Sequence, residues 1–347
     1  MKYLRMLGMG LIAALLGTAL LAAQEENPNA KKSATKALKG VGQEPPRKNP
    51  PPQGRSEGKT SFGLKPLTEM TAEDKYKGED GGLYGGGYNE PPPEHQAAVR
   101  KELAKIVPLD AEGNPSKDGK IILLSLGGRH PTEDFSSFKK TVDADPEKSP
   151  SVVIMDGALG GQGPPKDGRN PLEQRLYKEG ATVKQVQVAM MKQSFMSPKN
   201  DFPAHAQKLR DDLIVDLNNY KEKYPNLRVI YMTTRYYGGY GGSVNPEPQT
   251  YEAAFAIRWL IQDQIKGEPK LNYDPTKGEV HAPLILWGPY YWADGTTPRK
   301  SDGLIWERND YENDGTHLSG SGTQKVIEML LKFFRTDAGA RTWLLKP

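Results

Sequence analysis

The sequence contains no cysteine among its 347 residues. This absence excludes disulfide bonds, thiolate metal ligands, a cysteine nucleophile and the acylated cysteine of a bacterial lipoprotein. The sequence also lacks a His-Glu-x-x-His zinc motif, and Asp143 and Asp145 are not followed by the glycine and glutamate of a calcium loop. His95, His205 and His281 have no evident paired ligand. We therefore expect no metal or cofactor, and a fold stabilised by its apolar core.

A long apolar run stands at the N-terminus. Lys2 and Arg5 precede it, residues 6–21 form the run, and the small residues Ala22 and Ala23 follow. This order is typical of a signal peptide over residues 1–23, and glycines within the run argue against the alternative of an uncleaved anchor. We expect an exported protein, periplasmic or extracellular, with no stable membrane insertion after cleavage.

Excess positive charge is confined to one stretch of the chain. The formal net charge is +4, but residues 24–66 alone carry nine Lys or Arg against four Glu. Without this stretch and the basic start, the remaining residues have a net charge of about −3. The basic isoelectric point therefore does not indicate a nucleic-acid partner.

Residues 24–94 are rich in Pro, Gly, Lys and Asn. Such a composition buries too little apolar area to offset the entropy of ordering the chain. We predict a flexible linker here and a single folded domain over residues 95–347.

Residues 119–335 alternate short apolar runs with helical patterns, which is typical of a parallel sheet covered on both faces. The spacing of Leu209, Leu213 and Leu217 predicts one helix after Pro203, and others are expected over about 251–265 and after Ser319. We predict a three-layer α/β/α sandwich around a five-stranded, mostly parallel, flavodoxin-like sheet, with its site at the carboxyl ends of the strands. The predicted strands are 121–126, 152–155, 186–191, 229–233 and 284–287.

Asp314 and His317 stand in a glycine-containing loop just before the last predicted helix. An aspartate three residues ahead of a histidine can meet it across a sharp turn and hold the imidazole in one tautomer. The other ring nitrogen then serves as a general base. We therefore take Asp314 and His317 as the candidate catalytic residues, with a simple capped turn as the alternative.

The position of this pair resembles that in the SGNH, or GDSL-like, hydrolases. In that superfamily a serine follows the first strand, glycine and asparagine donors come from the middle blocks, and Asp-x-x-His closes the domain. Here the first strand ends at Ser125-Leu-Gly127-Gly128, and Asp314 and His317 match the last block. The resemblance spans about residues 119–335 and implies an ester hydrolase.

The chain departs from the superfamily pattern at the nucleophile. Where the serine is expected, the sequence reads Gly127-Gly128-Arg129-His130. An arginine cannot act as a nucleophile, but it grips carboxylate, phosphate or sulfate with two hydrogen bonds. We place Gly128, Arg129 and His130 in the substrate-binding site. Ser125, Ser136 and Ser137 are the alternative nucleophiles, although Ser125 lies in an apolar strand and is expected to be a core residue.

Glycines after the second strand are candidates for an oxyanion site. Gly157 and Gly161 can bring backbone N–H groups close to a developing negative charge, with an ordinary turn as the alternative. After the third strand the superfamily has an asparagine; in this chain we take Gln193 as the substitute donor, with Asn200 as the alternative.

Two aromatic clusters follow the fourth and fifth strands. The first contains Arg235 and Tyr236, which we assign to substrate binding, and the second runs from Trp287 to Trp292. Tyrosine pairs need hydroxyl partners when buried, so we expect them to line a cleft and stack on sugar rings, with Asp294 and Arg299 binding hydroxyls.

Two functions remain open from the sequence. The first is a secreted hydrolase of an ester or acyl group, with a small-molecule or carbohydrate substrate and a displaced serine or a water as the nucleophile. The second is a catalytically inactive protein of the same fold that binds an anionic or sugar ligand. The residue that separates them is Arg129.

Overall fold

The structure is a computed structural model that describes residues 58–127, 133–157, 171–192, 200–242 and 245–346. The expected signal peptide at 1–23 and the part of the expected linker over 24–57 lie outside the described residues. Both stay predictions.

Five strands form the sheet, and each contains one of the apolar runs expected from the sequence. Their centres are rich in branched side chains with no solvent exposure, which suits a sheet buried on both faces. The strands are β1 (Ile121–Gly127), β2 (Val152–Asp156), β3 (Val186–Lys192), β4 (Val229–Thr233) and β5 (Leu284–Trp287).

Seven α-helices occur in the described ranges, together with short 3₁₀ turns at 67–69, 183–185, 269–271, 275–277 and 308–310. The helices are α1 (Pro93–Leu103), α2 (Glu133–Asp143), α3 (Pro171–Lys178), α4 (Ala204–Lys223), α5 (Gln249–Lys266), α6 (Gly320–Thr336) and α7 (Ala338–Leu344).

The helices follow from local patterns in the sequence. In α4 the buried residues Leu209, Leu213 and Leu217 recur every four positions and form one stripe against the sheet. Helix α5 is buried on most of its circumference and ends at Gly267, whose φ of +88° is the left-handed conformation that terminates helices.

All strand pairs are parallel, in the order β2-β1-β3-β4-β5. Helix α2 packs against α6, and α4 packs against α5. This strand order and the covering helices confirm the predicted flavodoxin-like α/β sandwich. In such a sheet the reversal of strand order falls at β1 and β3, and ligands bind at the carboxyl ends there.

Residues 58–94 correct one expectation. They were predicted as part of a flexible linker, but Leu67 and Met70 are buried and the segment is hydrogen-bonded to the rest of the fold. For example, the Lys59 N–H donates to the Gly239 carbonyl over 3.1 Å. The boundary at residue 94 is therefore placed too late, because polar composition does not prevent a segment from binding through its backbone.

In the part of the chain that the structure describes, no helix combines the length and the apolar character that a bilayer span requires.

Candidate active site

The Asp314–His317 loop, residues 311–318, connects the segment after β5 to α6. Asp314 Oδ1 accepts the backbone N–H groups of Thr316 and His317 over 2.8 and 2.9 Å. Asp314 Oδ2 lies 2.5 Å from His317 Nδ1. The carboxylate therefore fixes both the turn and, through Nδ1, the orientation of the imidazole.

Gly315 explains how this turn closes. Its φ is +68°, and a Cβ atom on it would lie 1.9 Å from the Tyr240 carbonyl oxygen. A side chain at this position is therefore excluded both by the backbone conformation and by the close approach of Tyr240. A bridge between Tyr311 and Leu318 joins the ends of the loop, and Gly315 packs against Tyr240 in the segment after β4.

The electrostatics of the pair favour an ionised aspartate. Partial desolvation acts to raise the pKa of Asp314, but hydrogen bonds from the His317 ring and from the His317 and Thr316 backbone outweigh it, and the net pKa is lowered. The side chains of Asp314 and His317 are 49% and 45% exposed. An ionised carboxylate at Nδ1 stabilises the imidazolium that forms when Nε2 takes a proton.

Arg235, assigned to substrate binding from the sequence, does contact this loop. Its Nη2 lies 3.3 Å from the Thr316 carbonyl oxygen and 3.3 Å from the Tyr236 hydroxyl. Tyr236 is buried and its ring packs against Trp306 and Tyr311. Tyr236 therefore supports the loop from within the core rather than presenting a stacking face to a ligand.

Lys192 and Asp134 form an ion pair at the same edge of the sheet, and neither was singled out from the sequence. Lys192 ends β3, and its Nζ lies 2.5 Å from Asp134 Oδ2 at the start of α2 and 5.3 Å from the centre of the Tyr236 ring. Both residues line a narrow, mostly apolar cleft with Ser125, Thr233 and Tyr291. Lys192 directly follows the strand predicted over residues 186–191, and this position was the signal that could have identified the pair.

Two of the three serines considered as nucleophiles are hydrogen-bonded to the carboxylate of Asp156. Ser125 is 2% exposed, and its hydroxyl donates to Asp156 Oδ1 over 2.8 Å. Ser136 donates to Asp156 Oδ2 over 2.8 Å, and Ser137, like Ser136, is partly buried on α2. The expectation that Ser125 is a core serine is confirmed.

Gly157 does not have the expected role of oxyanion donor. Its N–H donates to the carbonyl oxygen of Ser125 over 3.1 Å and to the Ser125 hydroxyl over 3.2 Å. A Cβ at this position would lie 2.4 Å from the Ser125 carbonyl oxygen. The glycine is thus required by the close approach of β1, and its donor is already used.

The aromatic clusters are also corrected: they are core, not cleft. The side chains of Tyr237, Tyr240, Tyr290, Tyr291 and Trp292 are all buried. Two of the hydroxyls find backbone partners in the segment at 58–70, because Tyr237 donates to the Lys59 carbonyl and Tyr290 accepts the Leu67 N–H. The partners were not foreseen because this segment was expected to be a linker.

Asp294 and Arg299 are structural as well. Asp294 accepts the Ser61 hydroxyl and the N–H groups of Phe62, Gly63 and Leu64 over 2.5 to 3.1 Å. Arg299 donates to backbone carbonyls of the second aromatic cluster and to Asp302. Neither is directed towards a sugar.

Five predicted site residues lie outside the described ranges: Gly128, Arg129, His130, Gly161 and Gln193. Their assignment to substrate binding stays a prediction. Within the described ranges, no group of three or more metal-ligating side chains is assembled.

Comparison with known protein families and with curated proteins finds no match for this chain. A function for this chain therefore has to be inferred from its fold and from the geometry around Asp314 and His317.

Proposed function

We propose that the protein is an exported, SGNH-like hydrolase that cleaves an ester or acyl group, with His317 as general base and Asp314 as its orienting partner. The observation that supports the proposal is the Asp314–His317 hydrogen bond in a turn defined by Gly315 and by two backbone N–H donors to Asp314. Both side chains are about half exposed, so burial in the core does not explain why the pair is held in this turn.

Water is the nucleophile in the proposed reaction. His317 Nε2 takes a proton from water while the water oxygen bonds to the carbonyl carbon of the ester. The ester C–O bond then breaks, and the proton passes from the imidazolium to the leaving oxygen. The hydrogen bonds of Ser125 and Ser136 to Asp156 favour water over either serine, since both hydroxyls are engaged with that carboxylate.

The proposal does not extend to a carbohydrate substrate. The tyrosines and tryptophan that suggested sugar stacking are buried and bonded within the core. The described part of the edge instead offers the cations Lys192 and Arg235.

The test is hydrolysis of 4-nitrophenyl acetate by the purified protein. We expect His317→Ala to lower kcat/KM by about 10²–10⁴-fold, and Asp314→Asn to lower it by a similar factor through loss of the oriented tautomer. His281→Ala is the matched control, because its side chain is 41% exposed and it lies before β5, at the opposite end of the sheet. Equal activity of the His317→Ala variant and the parent would refute the assignment.

A serine-directed phosphonate probe separates the possible nucleophiles. We expect no covalent labelling, since water attacks directly. Labelling at a mapped serine would overturn the water step. Absence of turnover on every aryl ester, together with saturable binding of an anion or a glycan, would instead establish the inactive binding protein.

A further inference from the structure

Buried arginines in this fold are normally neutralised by carboxylates. Arg258 is 1% exposed and pairs with Glu79 and, over 3.1 Å, with Asp80. Arg299 is 6% exposed and pairs with Asp302 over 2.5 Å. This is expected, because burying a guanidinium without a counter-ion costs several kcal/mol.

Arg235 is the exception among the described residues. It is also 6% exposed, yet none of the carboxylates in the described ranges lies within 4.0 Å of it. Its Nη2 makes two long contacts of 3.3 Å, to the Tyr236 hydroxyl and the Thr316 carbonyl, and its Cζ lies 4.9 Å from the Tyr236 ring centre. A cation–π contact contributes about 0.5–2 kcal/mol, less than the cost of burying the charge.

The neighbouring cation does not change this balance. Lys192 lies near the same Tyr236 ring, but its charge is offset by Asp134 at 2.5 Å. The Lys192–Asp134 pair is therefore neutral, whereas Arg235, on the same Tyr236 ring, keeps a positive charge with no carboxylate of the described ranges within 4.0 Å.

This charge lies beside the candidate catalytic base. The Thr316 carbonyl that Arg235 contacts belongs to the peptide bond between Thr316 and His317. Bond lengths of the peptide group place Arg235 Nη2 within about 6 Å of the His317 backbone nitrogen. A group bound by Arg235 would thus be held next to the loop that carries the base.

We propose that Arg235 binds an anionic oxygen group, a carboxylate or a sulfate, carried by the ester that His317 hydrolyses. The guanidinium fork bonds such a group with two parallel hydrogen bonds and supplies the charge balance that Arg258 and Arg299 obtain from the chain. The substrate half of this inference rests on the proposed hydrolase function, whereas anion binding by Arg235 does not.

The first experiment measures binding without turnover. Disodium sulfate is titrated calorimetrically into the full chain and into Arg235→Gln, Arg235→Lys and Lys117→Gln. We expect Arg235→Gln to weaken sulfate binding at least about tenfold and Arg235→Lys to have an intermediate effect, because lysine keeps the charge but loses the fork. Lys117→Gln, which removes an exposed charge before β1, is expected to bind like the parent. Unchanged sulfate affinity in Arg235→Gln would overturn the proposal.

The second experiment asks which side of the ester carries the anion. The kcat/KM ratio of 4-nitrophenyl hydrogen succinate to 4-nitrophenyl butyrate tests the acyl side, and the ratio of 4-acetoxybenzoate to its methyl ester tests the alcohol side. We expect Arg235→Gln to lower one ratio at least about tenfold, with the loss mainly in KM. If neither ratio falls, the anion is not part of the substrate and that half of the inference is wrong.

The two proposals fail in distinguishable ways. A parent protein that hydrolyses none of these esters refutes the hydrolase, while the sulfate titration still decides the role of Arg235. Melting curves and circular dichroism of each variant show whether it is folded. If Arg235→Gln is not folded, the sulfate affinity and the kcat/KM ratios of Arg235→Lys test the proposal instead.

Discussion

Asp294 and Asp314 both follow β5 and both accept backbone N–H groups, but the two carboxylates have different roles. Asp294 is buried, and its two oxygens accept three N–H groups and one hydroxyl from residues 61–64. Asp314 is half-exposed, and it uses one oxygen for two N–H groups and the other for the ring of His317. The Asp294 carboxylate joins distant parts of the chain, whereas the Asp314 carboxylate uses one of its oxygens to orient the His317 ring.

The two residues differ in which interactions would be lost if the carboxylate were removed. Every acceptor of Asp294 is used for residues more than 200 positions away in sequence, so its loss would separate the segment at 58–70 from the domain. The partners of Asp314 lie within three residues and near solvent. We therefore expect stability to depend on Asp294 and activity on Asp314.

The largest effect on stability is expected for Asp294→Ala. Removing a buried acceptor of four hydrogen bonds should cost about 3–5 kcal/mol in the free energy of unfolding. Asp314→Ala should cost less than about 1 kcal/mol, because its hydrogen bonds to the His317 ring and to two backbone N–H groups lie near solvent. Urea denaturation followed by tryptophan fluorescence measures both. Comparable losses in the two variants would remove the distinction.

A smaller effect on the free energy of unfolding is expected from the titration of Glu247. Burial raises the pKa of Glu247 from 4.5 to about 7, although the N–H groups of Gly238, Tyr251 and Trp292 oppose the shift. The folded state therefore holds this proton more tightly than the unfolded chain does. The stabilising contribution is complete below about pH 4.5 and is lost as the pH rises through about 7.

The measurement compares the parent with Glu247→Gln across this range. The difference in their unfolding free energies should change by on the order of 3 kcal/mol between pH 4.5 and 8, because the glutamine does not titrate. The absolute stability of the variant at one pH is less informative, since glutamine cannot accept the Tyr251 N–H and the Trp292 N–H on both oxygens as glutamate does. A constant difference would show that Glu247 keeps an ordinary pKa.

The smallest effect is expected for Tyr237→Phe. This change removes the hydrogen bond of 2.5 Å from the Tyr237 hydroxyl to the Lys59 carbonyl and should cost about 1 kcal/mol. Limited proteolysis within residues 58–64 should become faster than in the parent. Tyr177→Phe is the control, because Tyr177 is exposed, and it should change neither quantity. An equal response of the two variants would mean that Tyr237 does not secure the segment.

Sequence patterns predicted the sheet well. Each strand was placed within one residue of its observed ends, because a parallel strand buried on both faces produces a short apolar run that few other elements imitate. The Asp314–His317 contact was predictable for a similar reason, since both partners lie within one turn of the chain.

Contacts between distant residues were not predictable in the same way. Nothing near Tyr237 in sequence indicates that Lys59 supplies its acceptor, and nothing near Arg235 indicates that no carboxylate of the described ranges reaches it. Hydrophobic periodicity reports which face of an element is buried, but it does not report the identity of the partner. The misassigned tyrosines and the misplaced domain boundary therefore share one cause.

The bonds that attach residues 58–70 have a further consequence for how such a segment evolves. Most of the atoms it contributes belong to the main chain: the N–H groups of Phe62, Gly63, Leu64 and Leu67, and the carbonyl of Lys59. Peptide groups are the same in every residue except proline. Apart from the buried Leu67 and Met70, side chains along this stretch can thus be replaced by many others while these hydrogen bonds are kept, so a segment of low-complexity appearance can be an integral part of a domain.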